Sequence, residues 1–178
     1  MKLFEVIQEF LLSRKANGAS DETVKWYSSL LERFEAHMGR CEVSAHDLRE
    51  YVVDLRSKLA PSSVNGHVTA LHVFYTWYAQ EYNRPNPMKG IKRPRPLPAQ
   101  PRGIAPADMV KLLECAGVRD RALIALFADS GARLGGIAGL ELEDLDLEKR
   151  SAYVLEKGRR PRKVYFTPFT AACIRNWL

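Results

Sequence analysis

The chain has 178 residues, of which 46% are hydrophobic, so it can form a globular protein of one ordinary domain or two small ones. Its net charge of +6 and its pI of about 9.3 favour a polyanionic partner, either a nucleic acid or an anionic membrane surface. The longest strongly apolar run covers 122–128, far below the roughly 20 residues that a bilayer-spanning helix needs. Three cysteines without zinc-site spacing, and no signal-like apolar start, predict a protein of the reducing cytoplasm without a structural metal.

Residues 1–83 show the apolar periodicity of four helices. The second helix starts after Ser20, a favourable N-cap, and Gly39 ends it. The first helix ends at Gly18 and places five apolar side chains on one face: Leu3, Phe4, Ile7, Phe10 and Leu11.

The third and fourth helices begin at clear signals, a capping box at 44–47 and a proline, Pro61, that fits the first helical position. Gly66 lies inside the fourth helix, where it costs about 1 kcal/mol relative to alanine and leaves the helix surface open. We expect His67 and His72 on this helix to face solvent or to be partly packed, and not to be catalytic.

The composition changes at 84–103, which contains six prolines, six basic residues and no acid. Proline density predicts an extended, semi-rigid linker that spaces two bodies, and its positive charge suits a phosphate backbone. Three of its cations are candidate DNA contacts: Lys92, Arg93 and Arg95.

Residues 104–178 begin a second unit with a helix that Pro106 opens and Gly117 stops, followed by a buried helix over 119–129. Three glycines make 133–140 a poor helix by propensity, so tertiary packing must decide that segment. Two β-prone runs at 151–155 and 162–166 flank a basic turn and predict a hairpin.

Residues 169–178 have a helical pattern that stops on two apolar side chains, Trp177 and Leu178. Such side chains normally pack against further chain, so we expect the sequence to be truncated.

Two stretches of the second unit form recognisable motifs. Arg119, Asp120 and Ala122 lead to a turn at 130–133 that ends in Arg133, and the hairpin turn at 156–162 reads Glu-Lys-Gly-Arg-Arg-Pro-Arg. In order and spacing these motifs resemble the tyrosine recombinase family, which includes phage integrases and Xer-type recombinases, and whose corresponding turn reads Gly-Lys-Gly-x-Lys-x-Arg.

The resemblance implies a mainly α fold. It consists of a four-helix, SAM-like core-binding domain over 1–83, the basic linker over 84–103 and, over 104–178, the α+β start of a catalytic domain with a small β-hairpin. The chain corresponds to about half of a typical family member, and the family's His-x-x-Arg pair and nucleophilic tyrosine have no match in it. We therefore expect the chain by itself not to cleave DNA.

Family chemistry conserves the phosphodiester energy in a covalent 3′ phosphotyrosine, so it needs no metal, nucleotide or other cofactor. By resemblance, Arg133 stabilises the charge that builds on the phosphate oxygens. Lys157 in the hairpin matches the general acid that protonates the leaving 5′ oxygen. Gly136 departs from the pattern, because the family usually has an acidic residue three positions after the arginine, and its absence leaves Arg133 less well oriented.

Further DNA contacts are expected at the start of the second helix, at the start of the fourth helix and in the hairpin. The fourth helix offers an N-terminal phosphate site, and Gly66 would permit close approach to DNA. The candidate residues are Thr23, Lys25, Trp26, Ser62, Ser63, Asn65, Gly66, Thr69, Arg159 and Arg160.

The implied partner is double-stranded DNA with paired half-sites, on which several protomers assemble and each protomer forms a clamp. Neither a membrane nor a small-molecule substrate is implied. One alternative is a non-catalytic, integrase-like DNA-binding protein or regulator, which Gly136 and the short chain favour. Another is a helical protein-interaction module whose positive charge is incidental and which would lack salt-sensitive DNA affinity.

Overall fold

The computed structural model describes residues 2–94, 103–156, 158 and 160–178. The chain divides into two compact units, unit 1 over Met1–Ala99 and unit 2 over Gln100–Leu178. The predicted fold class is confirmed, since the described residues form helices throughout both units and one small antiparallel sheet in unit 2.

Unit 1 contains the four predicted helices, α1 (Leu3–Ala16), α2 (Asp21–Met38), α3 (Ala45–Lys58) and α4 (Pro61–Glu81). Their ends follow the sequence signals. The Ser20 hydroxyl accepts a hydrogen bond from the Thr23 amide, and Gly39 ends α2 in the left-handed conformation with φ of 65°. Ser44 and Asp47 form the predicted capping box of α3.

Aromatic rings fill the centre of unit 1. Phe10 lies edge-on against Tyr27 and Phe74, with ring centroids 5.3 and 5.4 Å apart, and Phe34 contacts Tyr51 and Tyr75. These contacts bring α1, α2, α3 and α4 around a single core.

The predicted apolar face of α1 was wrong at one position. Phe4 is 54% exposed, and Val6 is buried in its place. At 100° of rotation per residue, Phe4 and Val6 lie at opposite edges of the apolar stripe of α1, and the core covers the edge that contains Val6.

The first part of the predicted linker is packed into unit 1 and does not form an extended spacer. Met88 and Ile91 are buried in the core, and the Ile91 carbonyl lies 2.7 Å from Nε2 of His72. The Asn86 side chain accepts the Met88 amide at 2.9 Å, which closes a turn. The apolar side chains thus override the extended preference of the flanking prolines, and the exposed segment starts at Lys92.

The expectation for His67 was wrong, because its ring is buried at 4% exposure. It lies beside the buried ring of Tyr51, and burial lowers the pKa of His67 below its ordinary value. Burial also raises the pKa of Tyr51 to about 12. Both side chains therefore stay neutral inside the folded unit at neutral pH.

Unit 2 combines four helices of its described residues with a three-stranded sheet. The helices are α5 (Pro106–Cys115), α6 (Val118–Ser130), α7 (Leu134–Ala138) and α8 (Pro168–Trp177). The strands β1 (Leu145–Asp146), β2 (Ser151–Glu156) and β3 (Arg160–Tyr165) pair antiparallel in the order β1-β2-β3. The hairpin β2–β3 is the one predicted, and β1 is an addition that sequence periodicity did not indicate.

Charged side chains connect the helices of unit 2. Arg121 donates to the Leu113 and Ala116 carbonyls at 2.8 and 3.0 Å and so caps the end of α5. Asp129 accepts from the Thr167 amide and the Thr170 hydroxyl at 2.7 and 2.6 Å at the start of α8. These contacts fix α5 and α8 against α6.

The helix α6 is less buried than its apolar sequence suggests. Within the run 122–128, Ala122, Ala125 and Leu126 are buried, whereas the remaining side chains are partly or fully exposed.

In the part of the chain that the structure describes, no helix is both long and apolar enough to span a bilayer.

His67 should make the stability of unit 1 pH dependent. Since its pKa is lowered in the fold, the unfolded chain binds a proton more readily, and the free energy of unfolding falls as the pH drops below the ordinary histidine value of 6.5. Denaturant titrations between about pH 7.5 and 5.5 would measure this fall. Replacing Trp177 with phenylalanine leaves tryptophans only in unit 1, so their fluorescence reports that unit.

The variant His67→Gln is the comparison, because glutamine cannot take up the proton. Its free energy of unfolding should change less over the same pH interval than that of the parent. An equal fall in both proteins would show that other groups cause the pH dependence.

Candidate active site and DNA interface

A tight turn between α6 and α7 positions Arg133. Gly131 ends α6 in the left-handed conformation with φ of 56°, and the Ser130 hydroxyl accepts the Ala132 amide at 3.2 Å. The buried Ala132 anchors the turn in the core. Arg133 follows as the N-cap residue of α7, with its side chain at the surface of unit 2.

Arg133 forms an ion pair with Glu156, the last residue of β2. The other oxygen of the same carboxylate lies 3.1 Å from Nη2 of Arg162 on β3. The Glu156 side chain is 11% exposed and that of Arg133 is 73% exposed. One largely covered carboxylate therefore joins two guanidinium groups, and most of the Arg133 surface is open to solvent.

The register of the sheet explains why these side chains meet. Ala152, Val154 and Glu156 alternate on one face of β2, and this face is buried until the hairpin end is reached. Arg162 pairs with Val154 and Arg160 pairs with Glu156, so both arginines share that face. The charged cluster consequently lies where the apolar layer of the sheet ends.

Glu156 stays ionised across the physiological pH range. The hydrogen bond from Arg133, with the charges of Arg133 and Arg162, lowers the pKa of Glu156 despite the opposing effect of desolvation. Arg162 also approaches the Gly131 carbonyl at 3.5 Å, at the end of α6 where a positive charge is favourable.

Gly136 lies where α7 packs on β2. A Cβ atom at this position would be 3.4 Å from the Leu155 carbonyl oxygen and 3.4 Å from Cβ of Val154. A Cβ atom there would therefore already be in contact with β2. The carboxylate that the sequence comparison expects at 136 is absent, but a carboxylate from the neighbouring strand contacts Arg133.

The roles predicted for three residues lie outside the described residues: Lys157, Arg159 and Arg95. Between the first two, Gly158 has φ of 82°, a left-handed conformation that suits glycine at the tip of a hairpin. Arg160, the next described residue, is exposed at the start of β3.

In unit 1 the structure brings the starts of α2 and α4 together. A Cβ atom at Gly66 would lie 3.7 Å from Cζ2 of Trp26, so the indole packs over the glycine. Trp26 is 40% exposed and also contacts the ring of Tyr27. The open surface predicted at Gly66 is therefore partly covered by a side chain of the protein itself.

The other candidates of unit 1 surround this contact. Ser62 and Ser63 are exposed at the start of α4, and Asn65 and Thr69 are half-buried one and two turns further along. Within the described helix α4 the N-terminus has no side-chain cap, so amide groups of its first turn remain available to an external acceptor. On α2, Lys25 is exposed, and the Thr23 hydroxyl lies 2.9 Å from that of Ser20. We call these residues, with Trp26, the α2–α4 surface.

Sequence reasoning missed two residues of the cluster in unit 2, Glu156 and Arg162. A signal for Glu156 was present, because an acid stands where the related turn has its first glycine, and Gly136 stands where the related helix has an acid. The contact between Glu156 and Arg133 could not be read from the sequence, since it depends on the packing of α7 against β2. Among the described residues there is no group of three or more His, Cys, Asp or Glu side chains that could hold a metal ion.

Two family profiles match the chain. Residues 6–83 match the profile described as "Phage integrase, N-terminal SAM-like domain", and residues 105–178 match "Phage integrase family". Tyrosine recombinase XerC of Escherichia coli (strain E24377A) is 32% identical to the chain over 146 residues, which are 78% of this chain and 48% of that protein. The chain thus spans about half the length of the relatives it matches.

The fold of this chain resembles the folds of solved integrase structures. The lambda integrase (75-356) dimer bound to a COC' core site gives a TM-score of 0.81 at 12% identity, over 99% of this chain and 68% of that one. The Tn1549 transposon integrase in complex with circular intermediate DNA gives 0.75 at 18% identity, over 98% of this chain and 64% of that one. At such identities the likeness concerns the fold.

Replacing Gly66 with alanine should stabilise unit 1. The added methyl group would meet Trp26 at ordinary van der Waals distance, and alanine is favoured over glycine inside a helix by up to about 1 kcal/mol. Denaturant unfolding of Gly66→Ala would measure the gain. The matched variant Gly66→Leu adds a branched side chain beneath the indole and should lose the gain; equal stability of both variants would contradict the packing of Trp26 over Gly66.

Proposed function

Because this chain belongs to the phage integrase family of tyrosine recombinases, we propose that it binds double-stranded DNA and supplies part of the strand-exchange site of a site-specific recombinase. The observation that carries the proposal is the exposed guanidinium of Arg133, held at the start of α7 beside the basic hairpin. Lambda integrase and the Tn1549 integrase, which share the fold, were solved with DNA.

Unit 2 contributes the groups that would hold the reacting phosphate. The Arg133 guanidinium presents several N–H donors to solvent and can bind two phosphate oxygens, which stabilises the charge of the transition state. Lys157, adjacent to Glu156 in the hairpin, is the candidate donor of a proton to the leaving 5′ oxygen.

The proposed reaction exchanges one ester for another. A tyrosine hydroxyl attacks the phosphorus, a 3′ phosphotyrosine bond forms, and the bond to the 5′ oxygen breaks as that oxygen takes up a proton. The number of phosphoester bonds is unchanged, so no cofactor has to supply energy. In a protein of the length of the relatives, the tyrosine would come from the part beyond the residues matched here.

Unit 1 would bind the DNA backbone through the α2–α4 surface. The amide groups at the start of α4 and the hydroxyls of Ser62 and Ser63 are donors that suit a phosphate, and α4 contains no acidic residue before Glu81. Lys25 adds a positive charge, and the exposed edge of Trp26 adds an apolar contact. The division into a core-binding part at 1–83 and a catalytic part at 104–178 assigns one such surface to each part.

The exposed cations after Ile91 would bind the DNA backbone next to unit 1. Lys92 and Arg93 are exposed directly after the segment that packs into unit 1, so their position relative to that unit is restricted. Paired half-sites on the DNA, assembly of several protomers and a cytoplasmic location complete the proposal. Each is expected for a recombinase that joins two DNA sites.

A second candidate is a non-catalytic integrase-like protein that occupies or regulates recombination sites. Gly136 favours it, since the acid expected there is missing from α7. Both candidates bind DNA, and they differ in whether Arg133 is oriented for chemistry.

Binding to random duplex DNA should weaken steeply with salt. Changing Lys92, Arg93 and Arg95 to alanine should make the slope of log affinity against log salt shallower by up to about 3. Each phosphate contact releases about one counterion when it forms, and the variant would form up to about three fewer contacts. Fluorescence anisotropy across a salt series would measure both slopes.

The control removes three other exposed cations, Lys58, Lys111 and Lys149, each of which already pairs with a nearby aspartate. It has the same net charge as the first variant and should keep most of the parent slope. Equal slopes for the two variants would indicate that only net charge matters. A wild-type chain that does not bind DNA at low salt would overturn the proposal.

The variant Ser62→Asp separates helix stability from DNA binding. A negative charge at the start of α4 should raise the free energy of unfolding by about 0.3–1 kcal/mol through the helix dipole. The same charge should repel a phosphate and weaken DNA binding several-fold. Denaturant unfolding and anisotropy would measure the two effects.

Gln8→Glu on the exposed side of α1 serves as the comparison, because it adds the same charge elsewhere in unit 1. It should weaken DNA binding less than Ser62→Asp. Equal weakening would exclude a phosphate contact at the start of α4.

A further inference from the structure

We propose that Glu156 is a positioning residue, which holds Arg133 and Arg162 together as one two-guanidinium phosphate site and replaces, from the hairpin, the carboxylate that is missing from α7. The inference rests on the proposed function, since the site it describes is the one that would bind the reacting phosphate. It also removes the main argument for the non-catalytic candidate.

The contacts of Glu156 support a positioning role. Each of its two carboxylate oxygens binds a different arginine, one at the N-cap of α7 and one on β3, so a single side chain sets the place of both guanidinium groups. Arginine is otherwise a flexible side chain that loses conformational entropy on ordering. A carboxylate already fixed at the end of a paired strand lowers the entropy that DNA binding would have to remove.

The exposure of Glu156, Arg133 and Arg162 shows whether Glu156 positions the arginines or competes with phosphate for them. A carboxylate that blocked the phosphate site would lie on the exposed side of Arg133. Glu156 is instead 11% exposed, while Arg133 and Arg162 are 73% and 46% exposed. The acid thus contacts the arginines from the protein side and leaves their outer surfaces to a ligand with negative charge.

Gly136 lies where α7 packs against β2, the strand that ends at Glu156. The main chain of β2 lies 3.4 Å from a Cβ atom at 136, so glycine allows α7 to approach the strand whose next residue is Glu156. Close packing of helix and strand brings the end of β2 within ion-pair distance of Arg133. Glu156 needs this close packing of α7 on β2 to reach Arg133.

The direction in which Glu156→Gln changes the affinity for duplex DNA decides between the two roles of Glu156. Glutamine has the same shape, and the change makes the chain more positive by one charge. If Glu156 only repelled or displaced phosphate, Glu156→Gln would bind duplex DNA more tightly. If Glu156 positions the arginines, affinity should fall by about threefold to fivefold in spite of the added positive charge.

Glu148→Gln is the matched control. Glu148 pairs with Arg175 at 3.0 Å in the same unit, is 91% exposed, and belongs to no part of the proposed site. This variant should bind DNA as tightly as the parent or slightly more tightly. Unchanged or increased affinity of Glu156→Gln, as in this control, would overturn the inference.

Two further measurements keep the test independent of folding and of the DNA proposal. Glu156→Asp keeps the charge and should retain more affinity than Glu156→Gln; a larger loss in Glu156→Asp than in Glu156→Gln would show that side-chain shape matters more than charge and would contradict the inference. In NMR spectra without DNA, the Nε–Hε signal of Arg133 should be dispersed in the parent and shift towards the position of a freely rotating arginine in Glu156→Gln.

The NMR signal separates the two possible failures. A parent chain that fails to bind DNA but has an ordered Arg133 signal that depends on Glu156 would contradict the proposed function and support the positioning contact. An Arg133 signal that is unaffected by Glu156→Gln, with the amide spectrum still native, would contradict positioning even if DNA binding is strong. In the Arg133→Ala background the loss of affinity caused by Glu156→Gln should be smaller, because only the positioning of Arg162 remains to be lost.

Discussion

The close approach of α7 to β2 determines the geometry of the charged cluster in unit 2. With glycine at 136 the helix lies against the main chain of β2, and the turn that starts at Gly131 then delivers Arg133 to the end of the same strand. The sheet register places Glu156 and Arg162 on the face that meets this helix. Backbone packing of this kind is rigid. The packing of α7 on β2 therefore sets the positions of the paired side chains, and the ion pairs themselves do not have to order them.

The two units offer a polyanion different chemistry. In unit 1 the donors are uncharged amides and hydroxyls at the start of α4, with Lys25 as a neighbouring cation. In unit 2 they are guanidinium groups whose charge is partly balanced by a carboxylate. Neutral donors at a helix end locate a phosphate without a strong long-range field, whereas arginines stabilise charge that increases during a reaction. This difference agrees with a core-binding role for unit 1 and a chemical role for unit 2.

The candidate residues differ in how far the sequence could specify their surroundings. Arg133 was identifiable from its motif, and its position at the start of α7 follows from the glycine turn before it. Gly66 was identifiable as an open point of α4, but the neighbour that covers it, Trp26, lies forty positions away on α2. Likewise, Gly136 signalled a missing acid, while its replacement by Glu156 depends on a strand that follows later in the chain. Contacts within one turn of chain are local and predictable; contacts between elements are not.

The sequence by itself determined the helices of unit 1, the caps of α2 and α3 and the hairpin of unit 2, because apolar periodicity and capping residues act within a few positions of one another. Tertiary structure decided the rest. Packing buried Met88 and Ile91 against unit 1 where proline content predicted a linker, enclosed His67, and formed α7 from a glycine-rich segment of low helix propensity. In each case the free energy comes from burying side chains against distant partners, a contribution that local propensity does not contain.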